Sequence, residues 1–259
     1  MIPKIIHFCW LSGEQYPDLV EKCIKSWRDN LPDYEIMCWD LKRFDINCCR
    51  YTKEAFLEKK YAFASDYIRL YALYHFGGIY LDSDIEVLKS FDDLLNLKAF
   101  TCFQKMSMTL SPWIIGSEKG NKIIKEFLDY YEERSFYDEN GKMDLTPNPY
   151  PFTAICKRHG LILKDVKQEL DEISIFPHDY FCPYNPSKDV LEVTDNTYTI
   201  HYFNAEWMSE DQKRRRKRKQ EVTKKYGRYV GLAAYGWILL REEGVRIFYR
   251  ELYHFLVKG

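Results

Sequence analysis

Long hydrophobic runs are missing from this chain of 259 residues. The longest uncharged apolar stretch extends from Tyr229 to Leu240 and has only 12 residues, whereas a helix that crosses a bilayer needs about 20. The first ten residues, MIPKIIHFCW, also lack the apolar segment and the small-residue cleavage site of a secretory signal. We therefore expect a cytoplasmic protein without a membrane-spanning helix.

Paired cysteine motifs are missing as well. None of the eight cysteines forms a C-x-x-C pair, which argues against a zinc ribbon or a thioredoxin-like motif. With 12 glycines and 10 prolines, the chain is neither collagen-like nor of low complexity. Its 46% hydrophobic and 17% aromatic residues are enough for a substantial core. Reduced, mostly buried cysteines in a globular protein are expected.

Net charge is also small, at −1 for the whole chain, but it is unevenly distributed. Residues 207–259 contain 14 Lys or Arg and 6 Asp or Glu, a net charge of +8, so residues 1–206 carry −9. The sequence therefore predicts a globular domain over 1–206 and a basic, amphipathic helical extension over 207–259. The basic run Lys213–Lys219 has neither interleaved aromatic residues nor a known binding motif, so no nucleic-acid partner is expected.

The order of predicted elements favours an α/β fold. The elements predicted in the first third of the chain are a strand over Ile5–Trp10, a helix from Asp18, a strand over Tyr34–Trp39, a short helix from Thr52 to the Lys59–Lys60 region, a helix over Tyr61–Phe76 and a buried strand over Ile79–Leu81. The glycine pair after Phe76 is a typical helix terminator. This alternation predicts a mainly parallel sheet, in which ligands bind at the carboxyl ends of the strands.

The later part of the chain is less regular. The predicted elements are strands over Ala99–Phe103, Trp113–Ile115 and Tyr198–Phe203 and helices over Asn121–Glu133 and Phe152–His159. The polar, turn-rich segment Ser135–Tyr150, which ends in PNPYP, is predicted to be a loop or a lid.

The segment SDYIRLYALYHFGGIYLDSD contains the residues that point to chemistry. Asp66 and Arg69 are three residues apart and share a helix face. Tyr80, Asp82 and Asp84 are predicted to alternate on an extended segment, with their side chains on one side. Two carboxylates at a strand end can hold Mg²⁺ or Mn²⁺. A D-x-D alone is common in surface turns, and an Asp–Arg pair alone is usually a surface ion pair, but their combination with the glycine stop favours a site.

This segment resembles the sugar-binding region of glycosyltransferase family 32, which includes capsule-synthesis transferases and yeast-type mannosyltransferases. It is also similar to the catalytic core of the large clostridial glucosylating toxins. The resemblance is carried by S-D-x-x-R followed by L-x-x-x-G-G-x-Y-x-D-x-D. The opening IPKIIHFCW and the late IHYFNAEW resemble the family's first strand and its C-terminal His-to-Trp motif.

The resemblance implies a GT-A-type fold and a metal-dependent, retaining transfer of a hexose from a nucleotide sugar. A UDP-hexose is the expected donor, Mn²⁺ or Mg²⁺ the expected cation, and a glycan or lipid-linked oligosaccharide the expected acceptor. Capsular or other surface polysaccharide synthesis is the expected context, at the inner face of the cell membrane.

The resemblance also implies roles for particular residues. Asp82 and Asp84 would bind the metal, with His201 as the third ligand; Asn204 and Glu206 remain alternatives, because this part of the motif varies. The implied catalytic residues are Asp66 and Arg69, which would hold the donor-sugar hydroxyls and a phosphate, and Asp82, which would also contact the sugar or ribose, leaving Asp84 as the more direct metal ligand. The residues implied to bind the nucleotide sugar are His7, Trp10, Tyr80 and Trp207. Taken as residue types, His7 is also consistent with a structural role and Trp10 with the core.

Two other functions fit parts of the sequence. A metal-dependent hydrolase of nucleotide sugars or phosphates would use the same aspartates, and a non-catalytic carbohydrate-binding module would use the many aromatic residues. The extension over 207–259 also has two interpretations. Its helices would pack on protein, or they would make a peripheral membrane contact through basic and apolar faces.

Overall fold

The computed structural model describes residues 1–105, 107–185, 190–203 and 226–242, together with residues 214, 215, 218, 221 and 222. The chain divides into two compact units. One comprises Met1–Tyr184 and Leu191–Phe203, and the other comprises Asn185–Val190 and Asn204–Gly259. The predicted boundary after residue 206 stays a prediction, because the residues around it lie outside those described.

Strands and helices alternate along most of the described chain. The strands are β1 (Ile5–Cys9), β2 (Glu35–Trp39), β3 (Gly78–Leu81), β4 (Ile85–Val87), β5 (Ala99–Cys102), β6 (Ile114–Ser117), β7 (Gln168–Glu169), β8 (Ser174–Phe176), β9 (Tyr184–Asn185), β10 (Val190–Leu191) and β11 (Thr199–His201). The helices are α1 (Asp18–Asn30), α2 (Arg50–Leu57), α3 (Tyr61–Phe76), α4 (Lys122–Glu132), α5 (Pro149–Arg158), α6 (His178–Phe181) and α7 (Arg228–Glu242). Within the described residues, no helix combines the length and hydrophobicity needed to cross a bilayer.

Seven of these strands form one sheet, in the order β2-β1-β3-β6-β5-β8-β7. β1 is parallel to β2 and to β3, and β5 is parallel to β8. β6 is antiparallel to β3 and β5, and β7 is antiparallel to β8. Five of the seven strands described in this sheet therefore run in one direction. The predicted α/β fold with a mainly parallel sheet is confirmed.

Apolar side chains cover both faces of the sheet. Along β1, Ile6 and Phe8 belong to one buried cluster, while Ile5 and Cys9 pack against the other, as the period of a strand requires. On the first face lies α1, whose Trp27 packs edge-on against Phe8 with ring centroids 5.3 Å apart. On the second face lies α3, which is buried on nearly all sides.

A separate two-stranded sheet joins β11, near the end of the first unit, to β4, which follows the D-x-D motif. β4 runs antiparallel to β11, with His201 opposite Ile85. The late strand was predicted over Tyr198–Phe203, and its hydrogen-bonded part is shorter. Because β4 directly follows Asp84, this ladder brings His201 beside the D-x-D motif, although the two lie far apart in the sequence.

Two expectations from the sequence are corrected by the structure. The D-x-D motif is not extended, because the backbone turns there and the N–H of Ile85 donates to the carbonyl oxygen of Asp82 at 3.1 Å. The helix expected from Phe152 begins earlier, at Pro149, inside the predicted loop. Proline is favoured in the first turn of a helix, since its missing N–H would have no partner there.

Candidate functional site

Two glycines form the turn between α3 and β3, the strand that leads into the D-x-D motif. Gly77 and Gly78 have φ angles of 68° and 110°, which residues with side chains rarely adopt. A Cβ atom at Gly78 would lie 2.7 Å from the carbonyl oxygen of Ile5 and 2.9 Å from Nε2 of His7. The close approach of β1 and β3 therefore requires glycine here, and Asp82 follows at the carboxyl end of β3.

Asp82, Asp84 and His201 form a candidate metal centre. One ligand atom from each lies within 4.8 Å of the others, and Nε2 of His201 is 3.1 Å from Oδ1 of Asp84. The Asp82 side chain is 29% exposed and that of Asp84 is 15% exposed, so a ligand from solvent can reach the carboxylates. Carboxylate oxygens with an imidazole nitrogen suit a cation such as Mn²⁺. The structure thus brings together the three residues that were predicted as metal ligands.

Aromatic rings surround His201. Its ring centroid lies 5.0 Å from that of Trp113 and 4.0 Å from that of Phe203. Nδ1 of His201 and Nε1 of Trp113 are buried and have no hydrogen-bond partner among the residues that the structure describes. Such atoms are rare in folded proteins, and they are expected where a ligand or a further residue completes a site.

Arg69 lies next to the D-x-D turn and is almost inaccessible to solvent. Its Nη2 is 3.0 Å from Oδ1 of Asp66 and 3.5 Å from Oδ1 of Asp82. Nη1 donates to the carbonyl oxygen of Pro112 at 2.9 Å, and Nε donates to that of Ser65 at 3.4 Å. All three guanidinium nitrogens therefore have partners, and one buried cation holds carboxylates from two different elements.

Tyr80 connects this cation to the D-x-D motif. The guanidinium carbon of Arg69 lies 4.6 Å from the centroid of the Tyr80 ring, within the range of a cation–π contact. The Tyr80 hydroxyl donates to Oδ1 of Asp82 at 2.9 Å. Burial raises the pKa of Tyr80 well above its ordinary value, so the hydroxyl remains a donor. Its contacts orient Asp82.

Asp66 is more deeply buried than the aspartates of the D-x-D motif. Burial raises its pKa to about 6, although Arg69 and a hydrogen bond from Asn148 both oppose this shift. The bond is donated by Nδ2 of Asn148 to Oδ1 of Asp66 and is 2.6 Å long. Asn148 was not predicted as a site residue, because an asparagine between prolines is typical of a turn.

His7 and Trp10 were both predicted to bind the donor, and the structure places them differently. His7 is buried in β1, where Nε2 donates to the carbonyl oxygen of Gly77 at 2.7 Å and Nδ1 accepts from the indole of Trp39 at 3.1 Å. Burial lowers its pKa to about 4. These are the contacts of a structural residue. Trp10 is half-buried. It directly follows β1, at the carboxyl end of the parallel strands β1 and β3, where Asp82 also lies.

Some predicted residues lie outside the described part of the chain. These are Trp207, Asn204, Glu206, most of Lys213–Lys219, and the amphipathic residues of 243–259. The roles predicted for them stay predictions.

The segment that carries most of this geometry matches a known family. Residues 17–101 match the family described as the glycosyltransferase sugar-binding region containing a DXD motif. This segment, about a third of the chain, is similar to a glycosyltransferase sugar-binding region. The matched residues include Asp66, Arg69 and Tyr80 with both aspartates of the motif, whereas Asn148 and His201 lie beyond it. The resemblance predicted from the sequence is confirmed.

Curated relatives show how far the similarity extends. Inositol phosphoceramide mannosyltransferase 3 of Schizosaccharomyces pombe is 31% identical over 48% of this chain and 35% of its own length. The uncharacterized glycosyltransferase L373 of Acanthamoeba polyphaga mimivirus is 28% identical over 80% of this chain and 84% of its own length. The chain spans only 25% and 35% of the lengths of the first two curated relatives that it matches.

Among solved structures, the PaToxG glycosyltransferase is similar with a TM-score of 0.46 and 20% identity, over 61% of this chain and 69% of that chain. The matching family and the two relatives described above are named as glycosyltransferases, the class that the sequence predicted. The donor, the acceptor and the stereochemistry stay predictions.

Proposed function

We propose that this chain is a divalent-cation-dependent transferase that moves a hexose from a nucleotide sugar to a hydroxyl acceptor. The observation that carries the proposal is the contact between two groups of residues. The candidate metal ligands adjoin the buried Asp66–Arg69 pair, since Nη2 of Arg69 lies 3.5 Å from Oδ1 of Asp82. A nucleotide sugar has the matching parts, a diphosphate that binds a cation and a sugar with hydroxyl groups.

The candidate metal ligands fit Mn²⁺ or Mg²⁺. Two neighbouring carboxylates repel each other unless a positive charge lies between them, and His201 can supply Nε2 as a ligand when its proton is on Nδ1. Nε2 lies 3.1 Å from Oδ1 of Asp84, so the nitrogen that would bind the cation already faces the carboxylates. This supports His201 as the third ligand. When bound, the cation would neutralise the charge that develops on the diphosphate as the sugar leaves.

The residues on the sugar side would act through fixed hydrogen bonds. Asp66 contacts Arg69 and Asn148 through Oδ1, so we propose that Oδ2 accepts from the sugar hydroxyls. Arg69 supplies positive charge beside the leaving phosphate and holds Asp66 and Asp82 in place. Trp10 would support the nucleobase, and Trp207 would close over the donor, as the resemblance implies.

We further propose UDP-hexose as the donor and retention as the stereochemistry, on the resemblance to family 32. A glycan or lipid-linked acceptor used in surface polysaccharide synthesis is consistent with a relative named for inositol phosphoceramide. The +8 charge of residues 207–259 supports a peripheral contact with the anionic inner face of the membrane. On α7, Trp237 is 60% exposed and lies beside Arg241, a combination found at membrane surfaces.

The test measures release of the nucleoside diphosphate from a panel of nucleotide sugars with Mn²⁺, with and without glycan and lipid-linked acceptors. We expect Asp84→Ala and Asp82→Asn each to reduce turnover at least about a hundredfold, because each removes a carboxylate from the metal centre. Removing the cation with a chelator should abolish turnover of the unmodified protein.

Asp29→Ala is the matched control, since Asp29 is an exposed carboxylate on α1 that pairs with Lys25. Its turnover should equal that of the unmodified protein. Near-normal turnover in either D-x-D variant would overturn the metal assignment. Release that no acceptor increases would instead favour the hydrolase.

A further inference from the structure

Two helices of the first unit are preceded by asparagine, and the two asparagines behave differently. Asn121 precedes α4, and its side-chain oxygen accepts from the N–H groups of Ile123 and Ile124. This is the usual helix-capping arrangement. Asn148 precedes α5, and its side chain makes no hydrogen bond to that helix.

The side chain of Asn148 contacts α3 instead. Its Nδ2 donates to Oδ1 of Asp66 at 2.6 Å, and both residues are only 5% exposed. The direction of the amide is determined by chemistry, because an ionised carboxylate can only accept and so requires the amide nitrogen. The remaining atom, Oδ1 of Asn148, is buried without a partner among the described residues.

The start of α5 does not need a cap from Asn148, because Pro149 and Pro151 have no N–H and the N–H of Tyr150 donates to the carbonyl oxygen of Pro147 at 3.2 Å. A buried unpaired acceptor lowers stability, so neither helix capping nor core packing explains the position of the Asn148 side chain. The contact does hold one oxygen of Asp66 between two donors, since Nη2 of Arg69 lies 3.0 Å from the same oxygen. Two donors from different elements determine the direction in which the other oxygen of the carboxylate points.

We infer that Asn148 is a positioning residue of the donor-sugar site and acts through Asp66. This inference rests on the proposed function, in which Asp66 accepts hydrogen bonds from the sugar. It also makes the segment before α5 part of the site. That segment is anchored at its other end, where Glu54 accepts from the hydroxyl of Ser135 at 2.7 Å and from the N–H of Phe136 at 2.8 Å.

The test compares Asn148→Ala with Asn148→Leu. Both variants remove the donor to Asp66, but leucine keeps the approximate size and branching of the asparagine side chain. We expect each to raise the KM for the nucleotide sugar about tenfold or more, the loss of one hydrogen bond to a charged group. The affinity for the free nucleoside diphosphate with Mn²⁺ should stay unchanged in both, because that ligand has no sugar.

Asn121→Ala is the matched control, because it removes an asparagine that does cap its helix. It should lower the melting temperature and leave the KM unchanged. An unchanged KM in both Asn148 variants, or a normal KM in Asn148→Leu alone, would overturn the inference and leave the proposed function standing. Absence of nucleotide-sugar turnover in the unmodified protein would overturn the proposed function, and this inference with it.

Discussion

The two halves of the candidate site deal with charge in different ways. On the sugar side, the side chains of Asp66 and Arg69 are 7% and 5% exposed and neutralise each other. On the cation side, Asp82 and Asp84 are partly exposed, and the imidazole of His201 is their neighbour. A buried charge must be paired within the protein, whereas an exposed carboxylate can take its partner from solvent. The Asp66–Arg69 half is therefore completed by folding, whereas the half formed by Asp82, Asp84 and His201 is open to a partner from solvent.

Among the variants that test this comparison, Arg69→Met is expected to have the largest effect on stability. The variant leaves Asp66 buried without its cation, so we expect the free energy of unfolding to fall by about 3–5 kcal/mol. Urea denaturation measures the loss. Arg158→Met is the control, because Arg158 forms an ion pair with Glu126 in which both side chains reach solvent, a type of contact that contributes about 1 kcal/mol or less. Equal losses in the two variants would show that the sugar side is not more tightly coupled to folding than the surface.

The next effect is a pH dependence that arises from Asp66. Burial raises its pKa from 3.8 to about 6, so between these values the folded protein keeps a proton that the unfolded chain has released. The stability contributed by this group is complete below pH 4 and is lost as the pH rises through 6, by about 3 kcal/mol at most.

Asp66→Asn tests this dependence, because asparagine does not titrate. The difference in unfolding free energy between the unmodified protein and the variant, measured at pH 4 and pH 7, removes the contributions of all other groups. We expect the variant to gain stability relative to the unmodified protein as the pH rises. A difference that is independent of pH would mean that burial does not raise the pKa of Asp66.

The smallest effect is expected where the two halves meet, at Tyr80. Tyr80→Phe removes the hydrogen bond to Asp82 and should lower the free energy of unfolding by about 1 kcal/mol, since water can reach Asp82 and replace the phenol in part. Calorimetry measures this loss. Tyr137→Phe is the control, because its hydroxyl donates to Glu58 at an exposed position and should contribute almost nothing. A loss as large as that of Arg69→Met would mean that the two halves form a single buried unit.

The sequence predicted the central motif well, because the contacts within it are local. Asp66 and Arg69 meet across one turn of α3, and the glycine pair ends that helix because of the positive φ angles there. The prediction was wrong for the backbone between Asp82 and Asp84. Alternation of polar and apolar residues indicates an extended strand, and it contains no sign of the hydrogen bond from Ile85 that closes the turn.

Asn148 could not be found in the same way. The residues around it, PNPYP, are typical of turns and helix starts, and the partner of its side chain lies 82 positions earlier in the chain. The prolines at 149 and 151 indicate that Asn148 has few N–H groups to cap, but they do not indicate which residue its side chain contacts. That contact depends on tertiary packing, in which α5 lies against α4 and α4 lies against α3.

The sequence by itself determined the chemistry of this protein: two carboxylates after a buried strand, an arginine on the preceding helix, and a glycine turn between them. These features depend on residue type and short-range periodicity. The tertiary structure alone decided which distant residues complete the site. His201 reaches Asp84 through the pairing of β4 with β11, and Asn148 reaches Asp66 through the packing of helices. Such contacts arise when separate segments bury their apolar surfaces together, and no local pattern encodes them.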